Sequence, residues 1–365
     1  MVTRRRPMAH PLSRRYFLAA GTGSLLASAA NWAAQAPVPL PQPETPYTRR
    51  SRVALMHGED RRKNIYESLK AIDDQIQPVL RKRKYVVIKP NNVSTVNQLA
   101  STHADALRGM LDYFTERFKG PVVIAESSAG DTMQGFEHFR YTALPGEYKS
   151  RKVELIDLNK EAKYELVSVL DADLHPTPVR LAARLLDPEA FVVSAGCMKT
   201  HNVVVATLGI KNMTLGAPLH QAPGETAKWN DKRKYHGGVR QTHYDIMVTA
   251  QRLSNNLNLD VIDGFEGMEG NGPAQGNPVA SRIAIASTDF VAADRIGVDA
   301  MGIDPGYPGY LMYCWQAHLG QYDPDRIDIV GEKVSAVRKP YRMHNDIERQ
   351  LQWRGTMEEL PPKLG

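Results

Sequence analysis

Cysteine is scarce in this sequence of 365 residues, with only Cys197 and Cys314 present. Two widely separated cysteines cannot form a disulfide framework or a CxxC metal or redox pair, although a single disulfide and a pair of buried thiols both stay open. The sequence also lacks a GxxxxGK(S/T) phosphate loop, a GxGxxG turn after a strand of the folded part, and an HExxH helix. These absences exclude the usual fingerprints of nucleotide-dependent enzymes and zinc proteases.

Strongly apolar runs are also scarce, which bears on the N-terminus. Arg14 and Arg15 precede Tyr16-Phe17-Leu18 and a mildly apolar segment that ends near Ala36, in the order of a twin-arginine export signal. Glycines and an asparagine interrupt that segment, whereas an uncleaved anchor would need about 20 strongly apolar residues. We therefore predict a signal peptide over residues 1–36, export through the twin-arginine translocase, a periplasmic or otherwise exported location, and no transmembrane span in the mature form.

A clear excess of basic charge is missing once this leader is set aside. The whole chain has 46 Lys and Arg against 40 Asp and Glu, and residues 1–36 contain five arginines and no acid, which leaves 41 against 40. Surfaces that bind nucleic acid need an excess of Lys and Arg. The mature chain is nearly neutral, so we expect no nucleic-acid partner.

The remaining chain alternates β-rich apolar runs with helical periodicity. After a Pro-rich tether over residues 37–50, this alternation predicts an α/β fold, with a largely parallel sheet and helices on both faces, in a single large domain over residues 51–335. Residues 336–365 carry no chemical signal and are predicted to form a C-terminal surface tail. The predicted strands are Arg52–Met56, Tyr85–Ile88, Val122–Ala125, Val153–Leu158, Phe191–Ser194, Leu259–Ile262, Ile283–Ala286 and Ile327–Val330.

Helices are predicted from apolar residues that recur at steps of three and four, over residues 65–80, 107–118 and 244–257. Thr102 stands three residues before Asp105, a spacing that resembles a capping box for the second of these helices. A fourth helix is predicted to follow Asp289 as its N-cap.

Polar residues cluster where the predicted strands end. In open α/β sheets, ligands bind beyond the carboxyl ends of the strands, where loops and helix N-termini present unpaired N–H groups. The candidate substrate-binding residues near such ends are Lys89, Asn91, Asn92, Ser127 and Asn212. We expect a small anionic molecule as the ligand.

Three further residues, Lys199, His201 and Lys211, are candidates for catalysis. A lysine in an apolar segment can hold a carboxylate or phosphate, or it can act as a nucleophile when burial lowers its pKa. Structural ion pairs with nearby acids are the alternative for both lysines. His201 suits the role of a general base or a metal ligand.

Acidic residues and glycines alternate after the strand predicted at residues 259–262. Asp263, Glu266 and Glu269 lie among five glycines, which predict a loop whose carboxylates could surround a divalent cation such as Mg²⁺ or Ca²⁺. Ordinary solvated acids are the alternative. Residues 217–243, rich in His and Lys, are predicted to form a long loop at the pocket mouth, either a lid or a disordered segment.

Several of these motifs occur in the same order in one known family. Lys89-Pro90-Asn91 and Lys199-Thr200-His201 each follow a strand, and Gly209-Ile210-Lys211-Asn212 comes soon after the second of them. Together with Asp263-Gly264 and Ala293-Asp294, they resemble the bacterial and archaeal group known as domain of unknown function 362. The resemblance supports the fold and the place of the pocket and leaves the reaction open. Some relatives carry cysteine motifs that hold iron–sulfur clusters; this sequence lacks them, so no such cluster is expected.

These features predict an exported protein with a strand-end pocket for an anionic small molecule. One use of such a pocket is catalysis, with or without help from a metal. The alternative is a non-catalytic periplasmic ligand-binding protein. Catalysis requires a lysine or histidine whose pKa is strongly shifted, whereas capture of a ligand requires only complementary charge.

Overall fold

Twelve strands are present in the part of the chain that the computed structural model describes, residues 47–161, 163–226 and 231–355. The predicted signal peptide and most of the tether lie outside these residues. The strands are β1 Ser51–His57, β2 Tyr85–Lys89, β3 Val122–Glu126, β4 Val153–Asp157, β5 Tyr164–Leu170, β6 Pro176–Ala182, β7 Ala190–Thr200, β8 Ala206–Thr207, β9 Leu257–Glu269, β10 Asn277–Val279, β11 Ile283–Ser287 and β12 Ile327–Gly331.

Ten of these strands form one mostly parallel sheet. Its order is β12-β1-β11-β9-β7-β2-β3-β4, with β8 paired to β7 and β10 to β9, while β5 and β6 form a separate hairpin. Strands β9, β7, β2, β3 and β4 run parallel, whereas β11 runs antiparallel to β1 and β9. The predicted α/β fold with a largely parallel sheet is confirmed.

The helices of the described residues flank this sheet. They are α1 Arg61–Lys70, α2 Asp73–Leu80, α3 Ala104–Arg117, α4 Thr132–His138, α5 Leu144–Glu147, α6 Leu158–Glu161, α7 Gly209–Gly216, α8 Val239–Leu253, α9 Phe290–Ala300, α10 Gly309–Gln316, α11 Val334–Val337 and α12 Ile347–Gln350. None of the described helices is long and apolar enough to cross a membrane.

Both faces of the sheet are buried, as strands with continuous apolar runs require. Val86 and Ile88 of β2 face a core that includes the predicted apolar stripes of α1 and α3, such as Ile65 and Leu107. Val87 points to the opposite face and is equally buried. Burial on both faces leaves the strand ends as the places where polar side chains can meet solvent or a ligand.

Of the two predicted helix N-caps, one is present in the structure and the other is not. Asp289 accepts hydrogen bonds from the backbone N–H groups at the start of α9, as predicted. The cap of α3 is His103 instead of Thr102. The Thr102 hydroxyl accepts a hydrogen bond from Asn91 N at 2.8 Å and donates one to Ala195 O at 2.8 Å. Thr102 therefore ties the loop after β2 to β7, and the capping-box prediction was wrong.

The predicted glycine-rich loop that contains Asp263, Glu266 and Glu269 is a strand, because β9 continues to Glu269. Its glycines serve close packing instead of turning. A Cβ at Gly264 would lie 2.8 Å from Ile283 Cγ1, and one at Gly267 would overlap the hydroxyl of Tyr341.

The described part of the predicted surface tail, residues 336–355, packs into the domain through several side chains. Trp353 is buried and contacts the rings of His243 and Tyr313 at centroid distances of 5.4 and 5.5 Å. The side chain of Gln350 accepts a hydrogen bond from Val205 N at 2.7 Å. This segment is therefore part of the core packing, which its lack of periodicity did not indicate.

Candidate functional site

The ends of β2 and β3 are joined by a buried ion pair. Lys89 is the last residue of β2 and Glu126 the last of β3, and Lys89 Nζ lies 3.0 Å from Glu126 Oε1. The carboxylate also accepts hydrogen bonds from Asn92 N at 3.0 Å and Ser127 N at 2.8 Å. One carboxylate thus holds both the loop after β2 and the loop after β3.

Asn212 connects α7 to the same strand ends. Its Oδ1 accepts hydrogen bonds from Lys89 Nζ at 3.0 Å and from Asn91 Nδ2 at 3.1 Å. Its Nδ2 donates to Lys89 O and to Ser194 Oγ, both at 3.2 Å. The amide therefore fixes α7 against β2 and β7.

The start of α7 is set by two buried acids. Asp294 Oδ1 accepts a hydrogen bond from Gly209 N at 2.7 Å, and burial, followed by the nearby Asp260, raises the pKa of Asp294 well above its usual value. A Cβ at position 209 would overlap the Asp260 carboxylate. Gly209 is required here because the acids approach the backbone closely.

A third lysine comes from the segment that was predicted to be a lid or disordered. Lys232 is buried, and its Nζ donates to Leu215 O at 3.0 Å and Gly216 O at 3.1 Å, and lies 3.3 Å from Ser127 Oγ. Residues 231–236 of that segment form an ordered turn against α7, and residues 227–230 lie outside the described part. Lys232 is a site residue that the sequence analysis missed.

Lys211 differs from the other two lysines. It is buried on α7 with 6 % of its surface exposed, and among the described residues no hydrogen bond or ion pair reaches its amine. A small cavity of about 50 Å³ lies between these groups. We call it the lysine pocket, and its polar lining is Lys89, Asn91, Asn92, Glu126, Ser127, Lys211, Asn212 and Lys232, with half-buried Val93 and Ala129 at the mouth.

The charges of the lysine pocket do not balance. Three lysines line it, and within its described lining only Glu126 carries a carboxylate. Burial lowers the pKa of Lys89, an effect that Glu126 opposes, and it lowers the pKa of Lys232 to about 7. Burial, together with the charges of nearby lysines, holds the pKa of Lys211 well below its usual range. The pocket therefore favours anions and contains an amine that gives up its proton easily.

The other two candidate catalytic residues lie near the lysine pocket and outside its lining. The buried amine of Lys199 donates to Ala100 O, and burial lowers the pKa of Lys199 to about 8. His201 Nδ1 accepts hydrogen bonds from Val203 N at 3.1 Å and Val204 N at 3.3 Å. Burial, followed by the charge of Lys211, holds the pKa of His201 well below its usual range. His201 is therefore a neutral residue that caps a turn.

The three predicted metal ligands do not converge. Asp263 forms an ion pair with Arg61 at 3.3 Å, Glu269 forms one with Arg342 at 3.8 Å, and Glu266 is exposed. Over the described ranges, the one group of three acidic, His or Cys side chains close enough to share an ion is Asp171, Asp173 and His175, at the tip of the β5–β6 hairpin. The predicted metal site thus has no geometric basis in β9.

The sequence analysis identified part of the lysine pocket. Its five candidate substrate-binding residues and Lys211 all line the cavity. Glu126 and Lys232 were not among the candidates. The position of Glu126 as the last residue of a buried strand was the available signal for it, whereas Lys232 reaches the site from a segment without periodicity. Both cysteines are buried free thiols, so the disulfide alternative is not realised.

Comparison with known proteins places the chain in a family without assigning it a reaction. It is 27% identical over 127 residues to a thylakoid-associated protein of Synechocystis sp., a match that covers 35% of this chain and 37% of that protein. It also resembles a protein of known crystal structure from Thermotoga maritima, at 11% identity and a TM-score of 0.40, covering 72% of this chain and 59% of that one. The family described as domain of unknown function (DUF362) matches residues 86–299, more than half of the chain, and the protein belongs to that family.

Proposed function

We propose that the lysine pocket binds a small anionic molecule that carries a carboxylate or phosphate group. The observation that carries the proposal is Lys211, a buried amine without a hydrogen-bond or ion-pair partner among the described residues. An isolated buried charge costs several kcal/mol, so an amine without a partner gives up its proton unless a counter-charge is present. A bound anion supplies that counter-charge to Lys211 and to Lys232.

The size of the cavity supports a small ligand. Its volume of about 50 Å³ lies well below the range for sites that hold drug-sized ligands, about 300–1,000 Å³. Its mouth lies between the loops after β2 and β3, at Val93 and Ala129. A ligand of a few heavy atoms fits this space, whereas a nucleotide does not.

We further propose that the protein is an enzyme. The support is the lowered pKa of Lys211 and of Lys232 within one pocket, since acid–base and nucleophilic groups need pKa values close to the working pH. A ligand-capture protein would be served by fully protonated lysines. Capture without chemistry is the second candidate. Metal assistance has little support, since Glu126 is already bonded to Lys89 and to two backbone N–H groups.

Calorimetric titration of the full chain with inorganic phosphate, and separately with acetate, tests the anion site. We expect at least one of them to bind, and Lys211→Met to weaken that binding by about tenfold or more, as loss of a charged hydrogen bond would. Lys160→Met is the matched control because Lys160 follows β4 at the same sheet edge, is 66% exposed and lies outside the pocket. Equal binding by both variants would refute the proposal, as would no binding by the unchanged protein.

We also propose export through the twin-arginine translocase, supported by Arg14 and Arg15 before the mildly apolar segment. Cell fractionation followed by N-terminal sequencing should yield a periplasmic form that begins at Pro37. Changing both arginines to lysine should leave the uncleaved precursor in the cytoplasm. A precursor that is exported equally well with both lysines would show that another route is used.

A further inference from the structure

Four buried lysines lie in and beside the lysine pocket, and three of them are held by acceptors. Lys89 Nζ donates to Pro90 O, Glu126 and Asn212, while Lys232 Nζ reaches two backbone carbonyls and a hydroxyl. Lys199 Nζ donates to Ala100 O. Lys211 stands apart because, over the described residues, its amine meets no acceptor.

This difference in partners gives Lys211 a different chemical character. In a lysine held by several acceptors, such as Lys89 or Lys232, the hydrogen bonds stabilise the ammonium form. A lysine without acceptors in a buried site among other lysines favours the neutral amine, the form that attacks carbonyl carbon. The charges of Lys199, Lys232 and Lys89 all act on Lys211 in this direction.

Two more polar atoms of the pocket lining also lack partners. Asn91 Oδ1 and Asn92 Nδ2 are buried and have no hydrogen-bond partner in the described structure. One is an acceptor and the other a donor. The donor, Asn92 Nδ2, matches an anionic oxygen of a ligand. The acceptor, Asn91 Oδ1, matches an N–H or O–H group that the ligand carries after reaction.

We infer that Lys211 is a catalytic nucleophile that forms an imine with the carbonyl carbon of a small oxo acid, of which pyruvate is the simplest test compound. The inference rests on the proposed anion site and adds the class of substrate. The carboxylate of the oxo acid lies in the positive field of the pocket, and the carbonyl carbon meets the free amine.

The bond changes balance with groups that line the pocket. The nitrogen lone pair of Lys211 forms a C–N bond as the carbonyl π pair moves to oxygen, and a proton passes from nitrogen to that oxygen. The resulting hydroxyl takes a proton from the Lys232 ammonium and leaves as water while the C=N bond forms. One amine, one carbonyl and one proton thus give one protonated imine and one water.

The test is reductive trapping. The full chain is incubated with pyruvate, treated with sodium borohydride, and examined by intact mass and peptide mapping. We expect one reduced pyruvate adduct per chain, on the peptide that contains Lys211, and we expect an anion that binds in the calorimetric titration to suppress it by competition. The unchanged protein suffices for this result, so the test does not depend on whether a variant folds.

Two variants and one comparison sharpen the outcome. Lys211→Arg keeps a cation but cannot condense with a carbonyl, so its adduct should be lost while anion binding persists; Lys160→Met should trap pyruvate as the unchanged protein does. Anion binding without any adduct would overturn the imine inference and leave the anion site standing. An adduct on Lys232 or Lys199 would overturn the assignment to Lys211. If the unchanged protein neither bound an anion nor trapped pyruvate, both proposals would be wrong.

Discussion

The two ends of β2 differ in how their charges are matched. At its start, Tyr85 lies beside a cleft in which Tyr85 donates to Asp187 and Arg184 pairs with Glu161. That cleft is larger than the lysine pocket, with about 580 Å³ against about 50 Å³. At the other end of the strand, Lys89 opens onto a pocket in which cations outnumber carboxylates. Charge imbalance, more than size, distinguishes the candidate site.

Removing the carboxylate at the pocket end of the strand should have the largest effect. Glu126→Gln leaves the Lys89 ammonium buried without its counter-charge, and such changes cost about 3–5 kcal/mol of unfolding free energy. Glu161→Gln, in the cleft at the other end, should cost about 1 kcal/mol or less because its pair with Arg184 is partly exposed. Urea unfolding of both variants measures the difference, and equal losses would show that the two ends are alike.

Lys211→Met should change stability in the opposite direction. It removes a buried amine that has no partner and keeps an apolar chain of similar length, so we expect the free energy of unfolding to rise by about 1–3 kcal/mol in the absence of ligand. Lys89→Met is the contrast, because it leaves Glu126 unpaired and should lower the same quantity by about 3 kcal/mol. If Lys211→Met were destabilising, the amine would have a partner that this structure lacks.

The dependence of stability on pH should give the most specific signal. Burial lowers the pKa of Lys232 to about 7 and that of Lys199 to about 8, while an unfolded lysine titrates near about 10.4. Between these values the unfolded chain binds more protons than the folded one, so the free energy of unfolding rises with pH, by at most about 1.4 kcal/mol per pH unit for each lysine. Below about pH 7 both states are protonated and this contribution becomes constant.

Urea unfolding at a series of pH values from about 6 to 10 measures this slope. Lys232→Met should reduce it, whereas Lys160→Met should leave it unchanged because Lys160 is mostly exposed. If the slope were the same in Lys232→Met as in the unchanged protein, and a bound anion did not alter it, the pH dependence would not come from the lysine pocket.

Sequence alone predicted the fold class, all eight of its proposed strands and half of the cavity lining, because apolar periodicity and strand-end polarity are local signals. The strands predicted at β7 and β9 were too short, because the glycines of these strands pack closely instead of turning the chain. It missed the β5–β6 hairpin, where alternation is weak because most of β5 is exposed. Lys232 was missed for another reason: its role depends on a tertiary contact with the end of α7, and no local pattern encodes that contact.

Asn212 makes hydrogen bonds to β2, β7 and the loop after β2, which limits the positions where new ligand specificities can arise. A substitution at Asn212, Lys89 or Glu126 disturbs several bonds at once and is filtered out by loss of folding before any change of ligand can be selected. Val93 and Ala129 line the mouth through side chains without polar groups. Variation at these two positions is the route by which evolution or a directed library can change ligand preference while the lysine framework stays intact.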